Sequence, residues 1–245
     1  ARRVRFEQID LYRSLVMTVD DAPAGQMLLG LRGDHAWCGG FGVLAPFRGQ
    51  GLAATLATAM IDSARQAGAR RFSLEVLTRN ERAIRTYTRA GLRTQHDLQI
   101  FEWRRPDVQQ HDAPAPHSPD RRIEETSEPL RLLEHFAAFH PVKPAWQRDL
   151  PALLARASAR GLALTEGGAI AGYLLFQLGA DGLTRIEDLG ARNADHVGAL
   201  LTELQARSSR IVSVNEPDNS PLTAAFEACG FVESDRQHEM WRDLT

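Results

Sequence analysis

The sequence predicts a two-domain α+β protein whose mixed, largely antiparallel sheets are flanked by helices, and three features carry that prediction. From Val43 to Leu92 a strand end, an Arg/Gly-rich turn, a helix, a second strand and a second helix follow without a break. Residues 106–121 are crowded with proline and polar side chains and hold almost no large apolar residue, which is the composition of a semi-extended linker. Beyond them the order of strands and helices recurs in altered form. The expected boundaries are therefore 1–105, 106–121 and 122–245.

Composition narrows the function. A chain of 245 residues, 43% hydrophobic and 24% charged, is sized for two small domains. The formal net charge of −2 gives no electrostatic footprint for nucleic acid. No apolar run reaches membrane-spanning length and no signal-peptide pattern opens the sequence, so no membrane partner is expected. Cys38 and Cys229 stand in separate halves without metal-ligand spacing or a disulfide framework. They read as packing residues, no metal is expected, and a reducing cytoplasm is the simplest home.

In order, Ser14 to Val19 has a strand pattern, Asp20 to Gly25 a turn, and strands follow near Gln26 to Arg32 and Ala36 to Val43, the last carrying Phe41. Arg48, Gly49, Gln50, Gly51, Leu52 and Ala53 then lead into a helix over Ala54 to Ala67, rich in helix formers with apolar residues at helical spacing. Glycines at a helix start let backbone N–H groups converge on an anion at the positive end of the helix dipole, with Arg48 able to add charge-assisted bonds. Such a turn is equally a tight connection. Phe72, Leu74 and Val76 alternate with Ser73, Glu75 and Leu77 as a short strand. Asn80 is an N-cap residue for a helix to about Ala90, Gly91 suits the position after its end, and Ala83 and Tyr87 share a face with Asn80.

The run V-x-x-x-x-R-G-x-G-x-A from Val43 to Ala53, followed by L-E-V-x-x-x-N-x-x-A-x-x-x-Y-x-x-x-G-L from Leu74 to Leu92, resembles the acetyl-CoA-binding half of the GNAT superfamily of N-acetyltransferases. Within that superfamily the Leu74-Glu75-Val76, Asn80 and Tyr87 run is most similar to the ribosomal-protein N-terminal alanine acetyltransferases. The similarity covers about fifty residues of motif. One departure is Ala45, with Pro46 after it, where the family commonly has Pro two residues after the Val. The resemblance implies that the pantetheine arm of acetyl-CoA lies between the splayed strands of Phe41 to Val43 and Leu74 to Leu77. It places the pyrophosphate on Arg48 to Ala53, puts Asn80 and Ala83 on the cofactor, and makes Tyr87 the acid that protonates the CoA thiolate. An ordinary phenol stays protonated at neutral pH, which suits that task. Glu75 is the candidate general base toward the acceptor amine; it is equally a strand-surface carboxylate paired with Arg70 or Arg71.

The implied chain is a tandem GNAT protein. Aligning Gly91-Leu92 with Gly230-Phe231 sets Asn219 against Asn80, Leu222 against Ala83 and Phe226 against Tyr87. The second copy is expected to run through a strand near Ile123, helices near Pro129 to Phe139 and Trp146 to Ala159, and strands near Leu162 to Thr165, Ala169 to Leu178 and Thr184 to Leu189. A helix over Ala194 to Ala206, a strand at Ile211 to Val214, and a final helix and strands complete it. Its anion turn carries Asp195, which repels phosphate, and Phe226 has no proton to give, so this copy is expected to serve as structure or as an acceptor-side wall. In GNAT folds a strand and one or two helices precede the first meander. Here they are missing or reduced, so either the chain is trimmed or another part supplies that wall.

The expected function is transfer of an acetyl group from acetyl-CoA to a primary amine, on a small molecule or a peptide N-terminus, by direct attack in a ternary complex. The alternative is an acyl-CoA-binding or sensing protein without turnover. Paired-GNAT transferases that use aminoacyl-tRNA fit the mildly acidic chain poorly. In a small-molecule acetyltransferase like mycothiol synthase, competence would lie in the other copy.

Overall fold

A computed structural model describes residue 4 and residues 7–106, 120–156, 160–179 and 181–244. Most of the expected linker, residues 107–119, lies outside the described residues. Contacts divide the chain into two compact units, Ala1–Asp97 with Gln237–Thr245, and Leu98–Arg236. This differs from a linear division at 105 and 122. The strand β5 (Arg93–Arg104) starts in the first unit and ends in the second, and the chain returns to the first unit for its last residues.

In the first unit β1 (Ile9–Val19), β2 (Ala22–Arg32) and β3 (His35–Val43) form an antiparallel meander. β4 (Arg71–Leu77) pairs parallel with β3 from His35↔Arg71 to Trp37↔Ser73. The other edge of β4 is taken antiparallel by the end of β11 (Val232–Asp243), in register from Gln237↔Leu77 to Asp243↔Arg71. Helices α1 (Leu52–Gln66) and α2 (Glu81–Arg89) cover one face of this sheet. Leu56, Ala57, Met60, Ile61 and Ala64 of α1 recur at helical spacing and bury against Met27, Leu29, Phe72 and Leu74. Met240 and Leu244 join that core, which is what draws the end of the chain into this unit.

Two local devices open the sheet. β2 and β3 shift register between Leu28↔Gly40 and Leu29↔Cys38, which leaves Gly39 as the extra residue of a bulge. A Cβ at Gly39 would lie 2.3 Å from Ile9 Cδ1, so any larger residue in the bulge would displace the Ile9 side chain. Past Trp37 and Ser73 the parallel pairing of β3 and β4 stops, leaving Cys38–Val43 and Leu74–Leu77 without ladder bonds to each other.

The second unit builds its own sheet in the order β5-β10-β9-β8-β7-β6 from β6 (Arg121–Thr126), β7 (Arg160–Glu166), β8 (Ala169–Leu178), β9 (Leu183–Ala191) and β10 (Arg210–Pro217). β9 and β10 are parallel from Leu183↔Arg210 to Ile186↔Ser213, and a bulge between Leu175↔Asp188 and Phe176↔Ile186 leaves Glu187 as the extra residue. The segment expected to hold two full helices instead has a 3-10 turn at Pro129–His135, a short α3 (Phe136–Phe139), a 3-10 turn at Trp146–Arg148 and α4 (Leu150–Leu154). Pro151 falls inside the second expected helix and stands instead in the first turn of α4, while Pro141 and Pro144 keep the two short regions apart, and pieces of this length do not propagate alone. α5 (Ala194–Ala206) has the expected bounds, and α6 (Thr223–Ala228) precedes β11. Among the described residues no helix is long and apolar enough to cross a membrane.

Candidate active site

Where β3 and β4 part, a cavity of about 610 Å³ opens between the end of β3, the turn before α1 and the exposed side of α2. Its lining includes Phe41, Val43, Arg48, Gly49, Gly51, Leu52, Ala53, Asn80, Ala83 and Tyr87. The turn runs from Leu44 through a 3-10 turn at Ala45–Phe47 to Gly51, the N-cap of α1. Gly49 and Gly51 sit at φ 83° and 81°, a backbone conformation that side chains resist, and a Cβ on either would meet no described atom within 4 Å. The glycines are therefore required by the chain path, and the space beside them belongs to the cavity. No side chain caps α1, and the Gly51 carbonyl accepts the Ala54 N–H at 2.9 Å, so the N–H groups of Leu52 and Ala53, which have no preceding turn to bond to, stand at the cavity wall. Arg48 Nε donates to the Val43 carbonyl at 2.9 Å, which fixes the arginine at the strand end.

Asn80 caps α2, with its Oδ1 accepting the Ala83 N–H at 3.2 Å. Tyr87 is buried in the helix-side core with its ring edge-on to Phe41, centroids 5.5 Å apart at 82°. Burial pushes its phenol well above the ordinary tyrosine value, and Cys38 nearby adds to the shift. Gln50 does not line the cavity; its side chain donates to the Pro46 carbonyl at 3.4 Å and supports the turn. Arg82, Arg85 and Arg89 do line it, as do Phe47, Ala54 and Thr86. The three arginines stand at i, i+3 and i+7 of α2, a spacing that reads as one basic face and was the available sequence signal. Arg85 is bridged to Glu81 at 3.0 Å.

Glu75 lies outside this cavity. Phe72, Leu74 and Val76 point into the helix-side core, so Ser73 and Glu75 project from the other face of β4, where Ser73 Oγ is 2.8 Å from His35 Nε2. Tyr87 and Glu75 thus approach the parted strands from opposite sides of the sheet. The cross-strand partner of Glu75 is Glu239 of β11.

The corresponding place in the second unit is filled. β9 passes into α5 through only Arg192 and Asn193, and the Asn193 side chain accepts the His196 N–H at 3.0 Å. Beyond the last β9–β10 pair, buried Arg148 bridges Asp188 of β9, at 3.5 Å, and Glu216 of β10. His140 Nε2 meets Asp188 Oδ1 at 3.1 Å, and the Tyr173 hydroxyl donates to Asp188 Oδ2 at 2.7 Å. Arg156 pairs with the bulge residue Glu187. Phe226 is fully buried, stacked on Phe101 at 5.0 Å and edge-on to Phe231 at 5.1 Å. Among the described residues no group of three or more His, Cys, Asp or Glu could hold a metal.

Residues 2–92 match the family described as the Acetyltransferase (GNAT) family. Solved structures resemble the whole chain in fold. A tandem GNAT protein from the clavulanic acid biosynthesis pathway aligns with a TM-score of 0.72 at 12% identity, over 95% of this chain and 82% of that one. A GCN5-related N-acetyltransferase from Sphaerobacter thermophilus aligns at 0.65 and 16% identity, over 94% and 80%. A putative acetyltransferase from Pyrococcus horikoshii aligns at 0.63 and 15%, over 94% and 73%. None of the curated proteins matches this chain.

Proposed function

We propose, from the match of residues 2–92 to the Acetyltransferase (GNAT) family, a family that transfers acyl groups from acyl-CoA, that the chain is an acetyl-CoA-dependent N-acetyltransferase whose active centre is the first unit's parted strands. Direct transfer in a ternary complex to a primary amine, on a small molecule or a peptide N-terminus, is the reading the geometry supports best. The thiols of Cys38 and Cys229, not joined as a disulfide, fit a reducing cytoplasm.

The observation that carries the proposal is the cavity itself. Ten of the residues expected from the motif line one space, with two positive-φ glycines and an uncapped helix start on one wall and Tyr87 on another. These features fit acetyl-CoA: the amides from Gly49 to Ala53 and Arg48 would hold its pyrophosphate, and Arg82, Arg85 and Arg89 add positive charge to the same cavity. Asn80 spends its carbonyl oxygen on the cap, which leaves its NH2 to meet an amide carbonyl of the pantetheine arm. When bound, acetyl-CoA supplies the activated acetyl thioester. The residues of the chain then do the proton work. Tyr87 keeps its proton throughout the working pH range because burial disfavours the phenolate, and it delivers that proton to the departing sulfur. Glu75, on the opposite face, takes a proton from the acceptor ammonium.

The test is calorimetric titration of acetyl-CoA, followed by thiol-release assays with an alanyl tripeptide, spermidine and kanamycin as acceptors. Tyr87→Phe is expected to bind acetyl-CoA within twofold of the parent while kcat falls about a hundredfold. Unchanged turnover in that variant would remove Tyr87 from the mechanism. Tight binding without transfer to any amine would favour the sensing alternative.

A further inference from the structure

The chain's last strand brings a second carboxylate to the face that carries Glu75. Glu239 is the register partner of Glu75 across the β4–β11 pair, and directly opposed residues of antiparallel strands project their side chains to one face with Cβ atoms about 5 Å apart. Like charges so placed repel, and such pairs persist where a cation or a mobile proton relieves them. Glu239 is 2% exposed, while His96 of β5, whose Nε2 lies 2.9 Å from Glu239 Oε2, is 30% exposed at its side chain. The three groups therefore run from Glu75, beside the parted strands, through a buried carboxylate, to an imidazole that meets solvent.

We propose that Glu239 and His96 are positioning residues that carry the acceptor's proton from Glu75 to solvent. The proposal rests on the reading of Glu75 as general base. Glu75 takes one proton from the ammonium and leaves the amine lone pair to attack. Glu239 takes that proton from Glu75, His96 takes it in turn at Nε2, Nδ1 releases one proton to water, and exchange of the ring protons with solvent restores the starting tautomer, with Nε2 free to accept again. One proton enters and one leaves, so the base is reset in each cycle without admitting water beside the thioester. Glu239 comes from β11, far from the motif in sequence, so no local pattern pointed to it.

The neighbouring charged groups have partners of their own. His35 is held by Ser73, Arg71 reaches Asp243 at 3.3 Å and lies over the Trp241 ring at 4.6 Å, and His238 pairs with Asp97 at 2.6 Å. His238 neighbours Glu239 in sequence but projects from the other face, which makes His238→Gln the control.

The deciding measurement is carbon-13 NMR titration of the Glu75 carboxyl in the full chain. His96→Gln is expected to shift its midpoint, because the group that hydrogen-bonds Glu239 is lost, and Glu239→Gln to lower it, because a negative neighbour is lost; His238→Gln leaves it in place. A midpoint indifferent to both Glu239→Gln and His96→Gln overturns the relay. Kinetically, both variants are expected to lose about tenfold in kcat with acetyl-CoA affinity unchanged, and added imidazole restores His96→Gln. If the parent chain acetylates none of the three amines, the acetyltransferase reading fails, while the titration still decides the coupling. If the parent is active and both variants match it, the relay is overturned and the acetyltransferase reading stands.

Discussion

Two strand-to-helix junctions in this chain solve the same topological problem and differ in what they leave open. Between β3 and α1 the backbone takes the detour of residues 44–51, with two glycines at positive φ and no side chain on the first amides of the helix. Between β9 and α5 it passes through Arg192 and Asn193 alone, and Asn193 spends its side chain on the helix N–H of His196. The strands beside them differ in the same sense. Each pair follows a bulge, at Gly39 and at Glu187, and each parts after a short parallel ladder. By position from the bulge, Gly42 corresponds to Gly190. A Cβ at Gly42 would meet no described atom within 4 Å, whereas at Gly190 it would lie 2.8 Å from Phe139 Cβ and 3.1 Å from His140 Cε1. The two junctions thus differ in the length of one connection and in whether side chains fill the space between the parted strands.

The strongest way to break that comparison is to remove the side chain that bridges the second unit's parted strands. Arg148→Ala leaves Asp188 and Glu216 as buried carboxylates without their shared guanidinium, a loss of about 3–5 kcal/mol for a broken buried pair. Hydrogen exchange at β9 and β10 should report that loss, while calorimetry of acetyl-CoA binding stays at the parent value. Loss of acetyl-CoA binding alongside it would mean that the second unit takes part in holding the cofactor.

The next effect in size belongs to the open junction. Gly51→Asp puts a carboxylate at the cavity wall and a side chain at φ 81°, and is expected to weaken acetyl-CoA binding by about a hundredfold or more. Asp195→Gly, in the first turn of α5, is expected to give the second unit no measurable affinity, because the short connection and the Asn193 cap remain. New binding in Asp195→Gly would show that one charge, rather than the missing loop, separates the two junctions.

How much of this was legible in the sequence follows the range of each signal. The strand, glycine turn and helix from Val43 onward, the Asn80 cap and the α5 bounds are fixed by residues within a few positions of one another, and the backbone follows them. The pieces between Pro129 and Leu154 were misread as two full helices because apolar spacing alone does not record that prolines interrupt it. The placement of β11 beside β4 was invisible for a different reason. An alternating strand such as Glu239-Met240-Trp241 states that it has two faces, and its choice of neighbour is made by the distant core of Phe72 and Leu74. The linear domain boundary turns on such long-range pairings, whereas the separation of Glu75 from the cavity follows from the local alternation of β4 with Phe72, Leu74 and Val76.

A smaller contrast lies in the caps. Asn80 and Asn193 each accept one helix N–H, so replacing either by Ala is expected to lower stability by about 1 kcal/mol, seen as a shift of the urea midpoint. Acetyl-CoA affinity should fall only in Asn80→Ala, because Asn80 lines the cavity. Equal affinity in both variants would reduce Asn80 to a cap.

The smallest effect is a slope of stability against pH that belongs to the second unit. His140 presents Nδ1 to the Phe136 carbonyl at 2.9 Å and Nε2 to Asp188 at 3.1 Å; both partners accept, so both nitrogens carry hydrogen and the ring is an imidazolium. Burial works against that charge, but the bond and charge of Asp188 and the Phe136 carbonyl outweigh it, and the His140 pKa is raised above its ordinary value of 6.5. The resulting stability is fully present below about pH 6.5 and is lost as pH rises through the higher folded value. Asp188 runs the other way. Burial would raise its pKa, yet His140, Arg148 and Tyr173 hold it below 3.8, so its contribution is present above that value and disappears in acid. Protection of β9 amides should therefore decline above neutrality in the parent and decline less in His140→Gln, with β3 amides of the first unit as the internal reference. An identical decline in both chains would mean that His140 is neutral in the fold, and that the second unit is closed by Arg148 without its help.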